Sequence, residues 1–400
     1  MVVAKTEPNQ FITFLENSQD LEVAREAFKS INLKNVEIIQ GGIKEAIALF
    51  SKRTSPRYLI VDVSKSDLPV SDLSRLSEVC EPGVIVLAVG ERNDVGLYRD
   101  LMRLGIFEYV VSPLFPEILT RSIKSMVFGE EKGKSGQSKT GKIISFVGSR
   151  GGVGTTFLAT NFSAILSKEK ARRSVVLDLD LQFGTVPLYF DLKPSYGLRD
   201  VLENPDRIDN VFIERLLTPV SDRLFIIGSE ESLDEIVKHK TEGLEVLISY
   251  LAKQFHYVIV DVPHYSNPIT RSVLASSHIM VLVTDSSLGG LRDSGRLISL
   301  FGGEATGRRV IVVMNKIGNY VKNEIKISDF EQALNHKIDH VVNFDNLNPL
   351  DCINNAKTLI NQENALSNSI RKIVDDVIGA RPAPEANNII TNFLKMLKLK

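Results

Sequence analysis

The stretch Ser149-Arg150-Gly151-Gly152-Val153-Gly154-Thr155-Thr156 decides how this chain is read. Just before it, Ile143-Ile-Ser-Phe-Val147 is a short strand-like run. Just after it, a helix is expected from Thr155 to about Lys168. A strand that turns through glycines into a helix is the context in which a backbone can hold an anion. Glycine lets the chain turn tightly and point successive N–H groups inward. The helix start adds unbonded donors and the positive end of its dipole. Together Arg150, Gly151, Gly152, Val153, Gly154 and Thr155 form a cradle suited to a polyphosphate. Thr156 stands where a hydroxyl can ligand Mg²⁺. The strict pattern G-x-x-x-x-G-K-[ST] is broken twice, because position 149 is Ser and the lysine position is Thr155.

Three more strand ends support this reading. Leu177-Asp178-Leu179-Asp180-Leu181-Gln182-Phe183-Gly184 follows the strand-like Val175-Val-Leu177. Val258-Ile-Val-Asp261-Val-Pro263 is a buried-type strand ending in an acid, and Val310-Ile-Val-Val-Met-Asn315-Lys316 ends in an amide. Ligands of open parallel sheets bind at the carboxyl ends of strands. Further strands are expected at Arg223–Ile227, Tyr257–Val260, Ile279–Val283 and Val310–Met314. Helices are expected near 243–254, 288–300 and 328–335. The continuous β-branched runs fit strands buried on both faces.

Upstream lies a second α/β block. Strands are expected at Phe11–Leu15, Val36–Ile39, Tyr58–Val61, Val84–Val89 and Glu108–Val111. Helices alternate with them at Leu21–Ile31, Lys44–Lys52, Asp94–Leu104 and Phe115–Phe128. The expected fold class is therefore α/β, with two doubly wound parallel-sheet domains. Gly129 to Gly141 holds no apolar residue and reads as a flexible linker. The expected organisation is a first domain at 1–128, a linker at 129–141, a nucleotide domain at 142–380 and a tail at 381–400. In the tail, Arg381-Pro-Ala-Pro-Glu-Ala386 is a hinge. Ile389, Ile390, Phe393, Leu394, Met396 and Leu397 then share one helical face opposite Lys395 and Lys398. Such a basic amphipathic helix can lie on an anionic membrane surface or dock on protein.

The 400 residues are 43% hydrophobic and 24% charged, which excludes wholesale disorder. Lys+Arg 48 against Asp+Glu 49 leaves a net charge of -1, which argues against a whole-chain grip on nucleic acid. Cys80 and Cys352 form no CxxC pair, so a zinc site or disulfide framework is not expected. Met1 to Ile12 carries Lys5, Glu7 and no long apolar run, so no signal peptide is expected there, and no apolar run approaches the ~18 residues that span a bilayer. A cytoplasmic chain with at most peripheral membrane contact is expected. The six histidines show no metal-ligand spacing and read as packing or surface residues.

On these motifs the downstream block resembles the deviant-Walker ATPases of the MinD/ParA type. With the upstream block, the chain is similar to the TadZ/CpaE family of pilus-assembly factors of the Tad (Flp) secretion system. The resemblance implies ATP and Mg²⁺ as cofactors and a homodimer as the working form. It implies pilus secretion machinery as partners and a peripheral, polar place on the cytoplasmic face of the inner membrane. Residue by residue, Gly151, Gly152, Val153, Gly154 and Thr156 match the phosphate loop. Asp178 and Asp180 match the switch I acids, with Asp180 positioning the attacking water and Asp178 counted with Thr156 and Asp261 at the Mg²⁺ site. Asp261 matches the acid that holds the Mg²⁺ shell, and Asn315 matches the adenine-contacting Asn. Arg150 replaces the family's signature lysine, which reaches a partner's phosphates. Thr155 removes the lysine inside the loop, so hydrolysis is expected to be slow or silent. A working ParA/MinD-type ATPase that positions DNA or the division site is the alternative.

The upstream block resembles the receiver domain of two-component signalling. Asp62 matches its phosphoacceptor. Its acidic pair corresponds to Glu16 and Asn17, its hydroxyl residue falls near Ala88 to Gly90, and its lysine is Ser112. A phosphorylation-independent pseudo-receiver is expected, with a switch through Asp62 as the other possibility.

Overall fold

Five short apolar runs build the first sheet. In the computed structural model, which describes residues 11–33, 35–128, 140–194, 197–205, 210–234, 240–302, 308–319 and 322–379, they are β1 (Phe11–Leu15), β2 (Val36–Gln40), β3 (Tyr58–Asp62), β4 (Ile85–Gly90) and β5 (Glu108–Val111). They pair in parallel in the order β2-β1-β3-β4-β5. Helices α1 (Ser18–Ser30), α2 (Ile43–Phe50), α3 (Pro69–Val79), α4 (Val95–Leu104) and α5 (Pro116–Phe128) alternate with them. Strand side chains alternate between faces. Phe11 and Leu15 therefore join α1 and α5 in one core, through Ala24, Phe28, Leu119 and Ile123. Ile12 and Phe14 join α2, α3 and α4 in the other, through Ile43, Phe50, Leu73 and Leu101. Local chemistry sets the helix ends. The Asn17 side chain accepts from the Gln19 N–H at 2.9 Å to start α1, and Asp94 accepts from Leu97 N–H at 2.6 Å to start α4.

The second sheet begins with β6 (Lys142–Gly148), which leads through the glycine turn into α6 (Thr155–Lys168). Then follow β7 (Ser174–Asp178), α7 (Leu198–Glu203), α8 (Asn210–Leu216), β8 (Thr218–Pro219), β9 (Leu224–Ile227) and α9 (Thr241–Gln254). The chain continues with β10 (Tyr257–Val262), α10 (Pro268–Ser276), β11 (Ile279–Thr284), α11 (Leu288–Phe301), β12 (Arg309–Ile317) and α12 (Ile327–Leu334). It ends with β13 (His340–Asn343), α13 (Asn348–Asn354) and α14 (Ala365–Ile378). The strand order is β13-β12-β11-β6-β10-β7-β9-β8. The short edge strand β8 runs antiparallel to its neighbour β9.

Contacts gather the chain into two compact units. The first comprises Met1–Ile143, Ser167–Gln182 and Pro194–Ile259, so the five-stranded sheet shares a unit with β7, β9 and α9. A buried seam runs through this unit. His256 Nδ1 accepts from the Arg173 N–H at 3.0 Å. Its Nε2, 2.6 Å from the Cys80 carbonyl oxygen, must then be the protonated nitrogen that donates. Burial holds the His256 pKa down to about 4, so the ring is neutral at pH 7. The Arg173 guanidinium lies 4.9 Å from the Phe255 ring centre and 5.2 Å from that of Phe225. Arg223 donates to the carbonyls of Ala171 at 2.8 Å and Phe50 at 3.3 Å. Burial also pushes the Cys80 thiol up to about 12.

The last residue of the expected linker at 129–141 is hydrogen-bonded to the second block. Gly141 N–H donates to Ala252 O at 2.6 Å and Lys142 N–H to His256 O at 2.9 Å, so Gly141 is already anchored. Residues 129–139 lie outside the described residues, as does the expected amphipathic helix of 381–400. Among the described residues, no helix is long and apolar enough to cross a membrane.

Candidate functional site

The second unit, Ile144–Leu166, Phe183–Lys193 and Val260–Lys400, contains the glycine turn. β6 pairs with β11 up to Gly148 opposite Val283, and Ser149 N–H still donates to Val283 O at 2.8 Å. The chain then leaves the sheet. Gly152 and Gly154 adopt left-handed φ of 79° and 96°, a conformation that costs any residue with a Cβ. A Cβ on Gly154 would lie 2.5 Å from Asn315 Nδ2, whereas one on Gly152 would meet nothing within 4 Å. The outer side of the turn at Gly152 is thus open, and the Gly154 side is filled by β12.

β12 supplies two consecutive side chains to the turn. Asn315, 6% exposed, donates its amide Nδ2 to Val153 O at 2.8 Å and accepts from the Lys316 N–H at 2.8 Å. Lys316 donates its ammonium to Gly152 O at 2.7 Å. Arg150 is held on the other flank by Asp285, just after β11, with Nε donating to Oδ2 at 3.0 Å. A cavity of about 270 Å³ opens here, lined by Arg150, Gly151, Gly152, Ser286, Lys316 and Asn319. The His264 ring stands against Gly151, where a Cβ would come within 3.2 Å of it.

The donor set fits a Mg²⁺–nucleotide. Mg²⁺ prefers one or two protein oxygens, several waters and phosphate oxygens. Thr156, in the first turn of α6, offers a hydroxyl, and Asp261, 5% exposed near the end of β10, offers a carboxylate. Among the described residues, no group of three or more His, Cys, Asp or Glu is placed to hold a metal ion. Asp178 closes β7 at 1% exposure, and its Oδ1 accepts from the Asp180 N–H at 3.1 Å. The structure thus brings Arg150 to Thr156 together with Asn315, and Asp178 together with Asp180.

Residues 141–301 match the family model described as AAA domain. The septum site-determining protein MinD of Synechocystis is 26% identical over 174 residues, covering 43% of this chain and 64% of that protein. The chain therefore spans just under two thirds of that relative's length. A ParA family ATPase from Chlorobium tepidum superposes with a TM-score of 0.53 at 24% identity, over 58% of this chain and 98% of that one. The septum site-determining protein MinD from Pyrococcus horikoshii, solved with Mg-ADP, gives 0.52 at 19% identity, over 59% of this chain and 95% of that one. The second sheet has the MinD/ParA-type P-loop fold.

Within that fold, Asn315 braces the loop: its amide oxygen accepts from the Lys316 N–H and one amide hydrogen goes to Val153 O, which leaves a second lone pair and a second N–H for the expected contact with adenine. Lys316, Asp285 and His264 were not singled out from sequence as site residues. The sequence signals for two of them are the adjacency of Lys316 to Asn315 and the position of His264 directly after the Asp261-Val-Pro263 motif.

The Asp62 region of the first sheet is built differently. Asp62, 2% exposed, accepts from Glu16 N–H at 3.1 Å through Oδ2 and from Ser64 N–H at 2.8 Å through Oδ1. Glu16, matched by sequence to one acid of a metal pair, is ion-paired with Lys65 at 2.7 Å. Asn17, matched to the other, is the cap of α1. A second buried acid stands nearby in the sequence, in the first turn of α1. Asp20, 0% exposed, accepts from Ser112 Oγ at 2.6 Å and Leu114 N–H at 2.8 Å. Ser112, which stands at the receiver's lysine position, is thus committed to Asp20.

Proposed function

We propose that this protein is a nucleotide-binding localisation or scaffold factor for pilus assembly and secretion of the Tad (Flp) type. ATP favours its homodimer, and hydrolysis is slow or absent. The observation that carries the reading is a glycine turn that keeps its cradle geometry while Thr155 stands where the loop lysine would be. Backbone donors bind phosphate without a side chain. Lowering the barrier to its transfer needs positive charge where negative charge develops. Bound Mg²⁺ supplies part of that charge. Thr156 and Asp261 are the residues that would hold it, with Asp178 the third residue expected there from the sequence. Asp180 would orient water, and Arg150 would reach toward a partner's nucleotide once released from Asp285. The amide-capped Asp62 and the committed Ser112 favour a first domain that works without phosphorylation, as a docking platform for pilus secretion proteins.

The second reading is a working MinD- or ParA-type ATPase that positions DNA or the division site. The similarity to MinD and ParA proteins favours it. Two measurements on the full chain test both readings. Mg·ATP titration by calorimetry is expected to show saturable binding, with a shift to dimer by light scattering and little phosphate release. Absence of saturable binding overturns the nucleotide reading. Turnover of many per minute that is lost in Asp180→Ala overturns slow hydrolysis. In cells, deletion is expected to abolish surface pili and leave septum placement and DNA partition normal. The reverse pattern establishes the second reading.

A further inference from the structure

We infer that Lys316 is a positioning residue that holds the phosphate loop in its binding conformation and places at the loop the positive charge that Thr155 has removed. This rests on the nucleotide reading above and adds a residue to that site.

The first observation is where Lys316 sits. In a regular strand, consecutive side chains point to opposite faces, so Asn315 and Lys316 could not both serve one loop. The pairing of β12 with β13 slips in register between Met314 and Ile317. Such an irregularity re-aims side chains. Lys316 has φ of 62° and Gly318 of 91°, both left-handed. For a lysine that backbone is strained, and strain persists where the surroundings over-determine it. Here the result is that Asn315 and Lys316 both reach back to the turn after β6.

The second observation is what they hold. In a trans peptide, C=O and N–H of one unit point in opposite directions. The Gly152 carbonyl shares its peptide with the Val153 N–H, and the Val153 carbonyl shares its own with the Gly154 N–H. Lys316 takes the first carbonyl at 2.7 Å and Asn315 the second at 2.8 Å. Drawing both carbonyls toward β12 turns the two N–H groups to the other side of the loop. Successive N–H groups presented together are the anion-binding element of such turns. Lys316 thus acts through the backbone, and its ammonium also adds a positive charge next to the loop. Arg150, the other cation there, is engaged by Asp285.

The test uses the full chain and calorimetric titration with Mg·ADP and Mg·ATP. Lys316→Met keeps the Cβ and the same backbone strain and removes only the ammonium. It is expected to weaken binding about tenfold or more, since a charge-assisted hydrogen bond and a preorganised loop are lost together. Lys316→Arg, which restores a cationic donor, is expected to recover most of the affinity. The melting midpoint without nucleotide is expected to stay within about 2 °C for both, because a partly exposed side chain contributes little to global stability. Faster hydrogen exchange at Val153 and Gly154 in nucleotide-free Lys316→Met is the independent readout of loop order. Unchanged affinity and unchanged exchange in Lys316→Met overturn the inference and leave the nucleotide reading standing. Absence of binding by the unaltered chain overturns the nucleotide reading itself.

Discussion

The Asp62 site and the glycine turn occupy equivalent places, each at the carboxyl end of a central parallel strand, yet they use their backbones in opposite ways. At Asp62 a buried carboxylate accepts the N–H groups of Glu16 and Ser64. At the turn, Lys316 and Asn315 take carbonyls, those of Gly152 and Val153. The first arrangement consumes donors and seals the site with a negative charge of its own. The second consumes acceptors and leaves donors to face a ligand. Sheet topology supplies a crevice, but the loop's internal hydrogen bonds decide whether that crevice can take an anion.

The sharpest way to break this comparison is Gly154→Val. It forces a Cβ into left-handed backbone and to within 2.5 Å of Asn315 Nδ2. Nucleotide affinity is expected to fall about a hundredfold or more, worth roughly 3 kcal/mol, as read by calorimetry. Retained affinity would mean that the cradle geometry does not matter.

The next effect concerns the seam that ties the first sheet to β7, β9 and α9. His256 titrates at about 4 in the fold against 6.5 ordinarily, chiefly because burial disfavours its charge. Its folded pKa is depressed, so the stabilisation from a neutral ring is complete above pH 6.5 and is lost as pH falls toward 4. The loss reaches about 3 kcal/mol. Urea denaturation at pH 7.5 and 4.5 is expected to show it, and His256→Gln is expected to flatten the difference.

Asp62→Ala is expected to cost about 1–3 kcal/mol of stability by stranding two backbone donors, with nucleotide affinity unchanged. Acetyl phosphate is expected to leave the unaltered chain unlabelled by mass spectrometry. Labelling at Asp62 would erase the contrast between the two sites. The smallest effect belongs to Asp285→Asn. The Arg150 side chain is 46% exposed, so the change in stability is expected to stay under about 1 kcal/mol. Dimer formation with ATP is expected to strengthen, because Arg150 is released.

Much of the architecture could be read from hydrophobic pattern. The runs at Tyr58–Val61 and Ile279–Val283 are buried on both faces, and such strands differ from surrounding sequence over their whole length. α3 escaped notice. Its sequence, Pro69-Val-Ser-Asp-Leu-Ser-Arg-Leu-Ser-Glu-Val79, buries only Pro69, Leu73 and Leu76, and the serines obscure the period. β13 is a four-residue edge strand with one fully buried position, Val342, too short to show alternation. The glycine turn and the polar strand ends were legible because position along a strand implies an edge of the sheet. The bracing of the loop was not. It depends on a register slip in β12, and on pairs such as Arg150 with Asp285 that lie 135 positions apart.

The seam at His256 also bears on synthesis. Cys80 leaves the ribosome 176 residues before the ring that reads its carbonyl. At translation rates of 5–20 residues per second, that interval is on the order of 10–35 s. Throughout it the early sheet must keep its Cys80 corner solvated or shielded by a chaperone. Pausing that prolongs the wait, or truncation before residue 256, leaves the Cys80 carbonyl without the ring that reads it.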